Sequence, residues 1–152
     1  MKLKLVVLSA VVALVMSCGN DGKKDGTQQT EENKEAAVVD PMQDKGIGPV
    51  TSITLGEIDD ALVVEGQKLF EVKCTACHKI GKRFVGPDLT GITGRRTSEW
   101  IMNMILNPDE MVQKNEAAKK LLAEYLSPMA NQSLTEPEAR AILEYFRTLK
   151  VE

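Results

Sequence analysis

Hydrophobic and polar positions divide the chain into three regimes. An apolar run, Leu5–Val15, follows Lys2 and Lys4. From Gly19 to about Pro49 the residues are Lys, Asp, Glu, Gln and Gly with hardly an apolar cluster. Apolar residues then return, first in the weak alternation Val50–Leu55, which predicts a short extended lead-in, and afterwards at helical spacing. Leu62, Gly66, Leu69, Phe70 and Cys74 share one face of a helix predicted from about Glu57 to Lys73, with Thr54-x-x-Glu57 as its capping box. Glycine inside a helix costs about 1 kcal/mol relative to alanine, so Gly66 predicts a close helix–helix contact. Gly81, Gly86-Pro87, Gly91 and Gly94 mark Lys79–Gly94 as loop. Thr97 caps a helix over Ser98–Leu106 that stops at Asn107-Pro108; Pro108 opens a short helical turn, and Asn115 caps another helix over Glu116–Tyr125. Leu126–Leu134 is loop. A second capping box, Thr135-x-x-Glu138, starts a last helix running to about Leu149 with the apolar stripe Ala139, Ile142, Leu143, Phe146 and Leu149. The pattern predicts an all-α domain of about four helices without internal repeats.

The N-terminal regime reads as a secretion signal over residues 1–17, because its apolar run is too short to span a bilayer comfortably. Leu14-Val15-Met16-Ser17-Cys18 resembles a bacterial lipobox, which would make Cys18 an acylated mature N-terminus; a simple signal with an incidental cysteine is the alternative. Several acyl chains anchor stably at a membrane where one would not. Residues 18–55 are then a lipidated N-terminus and flexible polar tether, since such a composition buries too little apolar surface to offset its ordering entropy. Residues 56–152 form the folded domain.

With 152 residues, net charge −3 and 4% aromatics, the chain suits one domain plus appendages. The acidic balance argues against nucleic-acid binding as a main task. So few aromatics predict a core completed by another group.

Cys74-Thr75-Ala76-Cys77-His78 supplies that group. Two thiols two residues apart with a histidine directly after them form the c-type haem attachment signature. Each thiol adds to a porphyrin vinyl group, and the short loop turns the imidazole onto the iron. Zinc would need two further Cys or His ligands, while His78 is the single histidine and Cys18 the single other cysteine. A redox dithiol would sit in a βαβ context, and the pattern shows none. One covalent haem c is the cofactor this motif predicts. A lone histidine excludes bis-imidazole ligation within the chain, which leaves methionine, water, lysine or nothing as sixth ligand. Of Met42, Met102, Met104, Met111 and Met129, the first lies in the tether and Met102 and Met104 lie at core spacing on a helix. Met111 sits in a short helix, and Met129 sits in a loop before the last helix; Met129 is the preferred ligand and Met111 the reserve.

The stretch from about Gly56 to Glu152 resembles a class I cytochrome c. The carriers are Cys74–His78 at the end of the first helix, Gly66 and Phe70 upstream, Gly86-Pro87-Asp88-Leu89-Thr90-Gly91, Gly94-Arg95, and Ser127-Pro128-Met129 followed by Leu134-Thr135-x-x-Glu138. The resemblance implies that the Pro87 carbonyl accepts from the axial His78, that Met129 is the second axial ligand, and that Arg95 lies near a haem propionate. The proline here precedes the methionine, where many relatives place one after it. Trp100 has two readings: a propionate contact through its indole N–H, or core filling with that N–H satisfied elsewhere. Lys73, Lys79, Lys82 and Arg83 form either a basic rim for an acidic partner or an ordinary solvated charge run.

Residues 95–111 further resemble small cytochromes associated with nitrous-oxide reduction and cytochrome domains of haem–copper oxidase subunits. Together these readings predict a lipid-anchored, single-haem electron carrier facing the periplasm of a bacterial envelope, not an enzyme and without a small-molecule substrate. Its expected partners are a quinol-oxidising complex as donor and a terminal reductase, such as nitrous-oxide reductase, or an oxidase as acceptor. The rival is a haem enzyme or ligand sensor with an open sixth position, such as a small peroxidase. A third reading is a structural lipoprotein that keeps haem as a fold element.

Overall fold

A computed structural model describes residues 40–150. The expected signal peptide, the candidate acylation site Cys18 and the expected tether up to residue 39 lie outside the described residues. Among those described there are five α-helices, one 3₁₀ turn and no strand: α1 (Asp60–Lys73), the turn Ile92–Gly94, α2 (Ser98–Leu106), α3 (Pro108–Lys114), α4 (Glu116–Tyr125) and α5 (Glu136–Thr148).

Local capping chemistry sets most of these boundaries. The Thr97 hydroxyl accepts from Trp100 N, Asn115 Oδ1 accepts from Ala118 N, and Thr135 and Glu138 form the reciprocal capping box. Pro108 occupies the first turn of α3, where its missing N–H is no loss. The start of α1 departs from expectation. Asp59 is its cap, with the carboxylate accepting from Ala61 N and Leu62 N at 2.9 and 3.2 Å, so the helix begins three residues after Glu57. Thr54 does not cap it. The carbonyls of Thr54 and Gly56 are instead held by Arg140 and Arg147 of α5, at 3.4 and 2.7 Å, which keeps the stretch non-helical.

The core lies between α1, α2, α3 and α5. Gly66 is buried against α5, and a β-carbon there would run into the carbonyl of Ala141 and stand 2.9 Å from Ile142 N. One turn on, the Phe70 ring meets Tyr145 and Phe146 at centroid distances of 5.6 and 5.8 Å. Met102, Met111, Ile142 and Leu143 fill the interior. Glu144 is fully buried on α5, and its carboxylate is clamped by Arg140 (2.6 Å) and Arg147 (2.6 Å). Both arginines reach on to the lead-in carbonyls already named, so one buried acid ties α5 to the segment ahead of α1.

The boundary between tether and domain needs correction. The tether is expected to reach residue 55, yet residues 44–50 lie folded against α2, α3 and the cap of α4, and Thr54 is held by α5. Val50 is buried, its N–H donates to Asn103 Oδ1 (3.0 Å), and Asn103 Nδ2 donates to the carbonyls of Val50 and Lys45 (2.8 and 2.9 Å). Ile47 N–H donates to the Met111 sulfur at 3.0 Å. The Asp44 carboxylate accepts from Asn115 Nδ2 at 2.9 Å, and its carbonyl accepts from the Thr97 hydroxyl at 2.5 Å. The segment is polar because its partners are polar: side chains more than fifty positions away satisfy its backbone. Local composition carries no trace of that.

Candidate functional site

The attachment motif forms where α1 ends. Cys74 is the C-cap residue, and the N–H groups of Cys77 and His78 both donate to the Cys74 carbonyl at 3.0 and 2.9 Å. This turn folds the chain back on itself, so Cys74, Cys77 and His78 line one cavity of about 540 Å³. The helix end and the turn after it are satisfied locally: the Thr75 hydroxyl donates to Glu71 O in the last turn of α1 (2.7 Å), and Lys79 Nζ donates to Thr75 O in the turn (2.9 Å).

The loop after the motif is fitted to the imidazole. Gly86 N–H donates to Cys77 O at 2.8 Å, and a β-carbon at Gly86 would stand 2.5 Å from His78 Cε1. Only glycine lets the backbone lie flush on the ring. The next residue, Pro87, places its carbonyl 3.1 Å from His78 Nδ1. A carbonyl can only accept, so Nδ1 carries the proton and Nε2 keeps its lone pair free. Burial lowers the pKa of His78, with the Pro87 carbonyl pulling weakly the other way, so the ring is neutral near pH 7.

Asp88 locks the loop. Its Oδ1 accepts from Gly81 N, Thr90 N and the Thr90 hydroxyl, each at 2.9 Å, and the Thr90 and Gly81 backbone donors and the Thr90 hydroxyl hold its pKa below the ordinary carboxylate value. Arg95 Nη2 donates to the carbonyls of Asp88 and Thr90 at 2.9 and 3.0 Å. The sequence motif Gly86–Gly91 includes Asp88 without assigning it this role, although an aspartate in a glycine-rich loop suits an Asx turn, its side chain accepting from the N–H two residues on.

The cavity is lined mainly by apolar side chains, among them Leu89, Ile101, Ile105, Leu121, Ile142 and Phe146, with Arg95 and Arg96 also contributing. Met129, half-buried on the α4–α5 connection, is in this lining; Met104 and Met42 are as well. Met102 and Met111 are not. Met111 is fully buried with its sulfur on Ile47 N–H, which removes the reserve ligand.

Two predicted propionate contacts fare differently. Trp100 is buried in the cavity wall, but its indole N–H donates to Asn115 Oδ1 at 3.1 Å, and Asn115 in turn donates to Asp44. The core-filling reading of Trp100 therefore describes it, and the propionate contact through Nε1 is corrected. Its donor is taken because Asn115, the cap of α4, presents an acceptor just behind the ring. Arg95 does line the cavity, with part of its guanidinium committed to the loop carbonyls. Arg96 lies 4.9 Å from the Trp100 ring centroid and lines the same wall. Of the four cations in the suspected basic rim, two are engaged within the protein: Lys79 sits over the Phe84 ring at 5.2 Å, and Arg83 pairs with Glu124 of α4 at 2.8 Å.

The residues present fit a covalent haem. The cavity volume falls within the range of cofactor sites. Burial, with Cys77 alongside, pushes the Cys74 thiol up to about pKa 11, and conversion to an uncharged thioether suits that environment. Among the described residues no group of three or more His, Cys, Asp and Glu side chains is arranged to hold a bare metal ion.

A five-helix domain that delivers two cysteines and a neutral histidine to one apolar cavity defines a c-type haem protein. The family model described as "Cytochrome c" matches residues 63–150, and the chain belongs to that family. Its solved structural neighbours include a cytochrome c from Rhodothermus marinus, 48% identical, covering 67% of this chain and 89% of that one, with a TM-score of 0.66. An engineered cytochrome c from the same organism is 47% identical, with coverages of 67% and 90% and a TM-score of 0.65. A further structure of the engineered protein is bound to a carbene intermediate; it is 48% identical, with a TM-score of 0.63. The fold is that of class I cytochromes c, one haem c is attached covalently through Cys74 and Cys77, and the protein is an electron-transfer haem protein.

Proposed function

We propose that this cytochrome is a lipid-anchored single-electron carrier of the bacterial envelope with His78 and Met129 as its axial ligands. The observation that carries the reading is the pairing of His78 Nδ1 with Pro87 O, which leaves Nε2 as the donor atom of a ring in the same cavity as the Met129 side chain. When bound, the haem supplies one-electron exchange between ferric and ferrous iron. His78 donates its Nδ1 proton to Pro87, which fixes the ring and raises its basicity toward a metal. Met129 offers a soft thioether, which favours the ferrous state and raises the potential. The apolar lining excludes water, and Arg95 and Arg96 place positive charge at the cavity for the propionates.

The lipobox-like Leu14–Cys18 supports an anchor at Cys18 facing the periplasm. Among the described residues no helix is long and apolar enough to cross a membrane. The resemblance over residues 95–111 supports a quinol-oxidising complex as donor, and nitrous-oxide reductase or a haem–copper oxidase as acceptor. The reading is tested by mixing reduced protein with these enzymes in a stopped-flow instrument. Concentration-dependent oxidation by one of them supports it, and inertness toward all contradicts it. For the anchor, Cys18→Ala should move the protein from the membrane fraction to the soluble envelope fraction; an unchanged distribution argues for a simple signal peptide.

A second reading, an open-site haem enzyme or ligand sensor, draws support from the engineered relative bound to a carbene. The single histidine of this chain weighs against peroxide chemistry there, because none remains to act as a distal base.

A further inference from the structure

One side chain ties the loop that holds His78 to the end of α4, from which the loop that carries Met129 departs. Arg83 projects from the loop braced by Asp88 and reaches the end of α4, 41 positions further on. Its Nη1 pairs with the Glu124 carboxylate at 2.8 Å, its Nη2 donates to the Glu124 carbonyl at 3.2 Å, and its guanidinium carbon lies 4.0 Å from the Tyr125 ring centroid. Three modes of contact, ion pair, backbone hydrogen bond and ring stacking, thus converge on two consecutive residues.

The end of α4 needs such a partner. The last turn of α4 contains no basic residue; the Leu126 N–H satisfies the Leu122 carbonyl at 2.9 Å, and the negative end of the dipole has no cation on the helix itself. The connection then leaves through Leu126 in the left-handed region, at φ 53°, where a side chain with a Cβ is strained. Leu126 is also 85% exposed, so its side chain gives the turn no packing support. Met129 follows three residues later.

We propose that Arg83 is a positioning residue that latches the Met129 loop to the His78 loop and so sets how readily the thioether yields the sixth position to another ligand. The proposal rests on the His78/Met129 reading. Each single contact is modest: an exposed ion pair contributes little, and the stack and the carbonyl bond add to it. Their joint loss should speed loop opening about fivefold, equivalent to about 1 kcal/mol.

The experiment uses the ferric holoprotein. Cyanide association is measured at saturating cyanide, where loop opening limits the rate, together with amide hydrogen exchange over residues 126–130 and the ferric thioether charge-transfer band. Arg83→Ala should raise the limiting rate about fivefold and speed exchange in that segment, with α1 and α5 unaffected. Arg83→Lys, which keeps the charge but loses the fork and the flat stacking face, should fall between the two. Glu124→Gln should give a smaller rise, because the carbonyl and ring contacts survive. If Arg83→Ala keeps the band with an unchanged cyanide rate and unchanged exchange, the latch is refuted while Met129 ligation stands. A native protein without the band would overturn the Met129 reading, and the latch with it.

Discussion

The carbonyl oxygen of Pro87 stands 3.1 Å from Nδ1 of His78, and Gly86 makes that approach possible. The relationship turns a flexible loop into an orienting group for the imidazole. Gly86→Ala puts a β-carbon where the ring already is, so either the ring tilts or the loop lifts and the Pro87 contact is lost. The variant should be less stable by about 2 kcal/mol in denaturant unfolding of the holoprotein. A histidine relieved of its acceptor is a weaker donor to ferric iron, so the midpoint potential should rise by on the order of tens of millivolts.

Gly66 answers a similar test away from the cavity. On an exposed helix Gly→Ala would stabilise by about 1 kcal/mol. Here the added carbon meets the Ala141 carbonyl and Ile142 N, both on the rigid backbone of α5. Gly66→Ala should therefore lower stability by about 2–3 kcal/mol by forcing α1 and α5 apart. Thermal unfolding of the holoprotein reads this directly, and a neutral or raised midpoint would mean that the helices are not in contact there.

Glu144 makes acid stability predictable in sign. Burial alone would raise its pKa, but the bonds from Arg147 and then Arg140 outweigh burial, and its folded pKa lies below the ordinary glutamate value. A group with a depressed folded pKa contributes stability above its unfolded pKa, about 4.3, and loses it as the pH falls through the lower folded value. The holoprotein should lose stability as pH falls from about 4.5, and Glu144→Gln should flatten that part of the profile. At neutral pH the same variant should cost about 3 kcal/mol, because it leaves two arginines facing a neutral amide.

Residues 40–55 are predicted to be part of the folded unit. Asn103 is 1% exposed and its side chain makes its hydrogen bonds to this segment, so Asn103→Ala should cost about 2–3 kcal/mol. Limited proteolysis should then cut near Val50 in the variant and spare that bond in the parent. Equal cutting in both would show that the segment is not held there.

These cases also show where the sequence was informative. The starts of α2, α4 and α5 could be read from Thr97, Asn115 and Thr135 because a cap and the N–H it satisfies lie within three residues of each other. Cys74, Cys77 and His78 fall together because a short motif folds on itself. The start of α1 was misplaced because two competing caps, Thr54 and Asp59, lie five residues apart, and the choice between them is made by Arg140 and Arg147 from the far end of the chain. The folding of residues 40–55, the capture of Trp100 Nε1 by Asn115, and the Arg83 contacts all depend on partners distant in sequence. Periodicity and composition carry no record of such pairings.

The proposed pairing of His78 and Met129 as haem ligands meets its sharpest test in the ferric absorption spectrum and a redox titration of Met129→Leu. Met104→Leu, which alters another methionine lining the same cavity, serves as the control. Met129→Leu should lose the thioether charge-transfer band and its midpoint potential should fall, while Met104→Leu should keep both near the parent values. A Met129→Leu protein with the band and the potential unchanged would contradict the pairing.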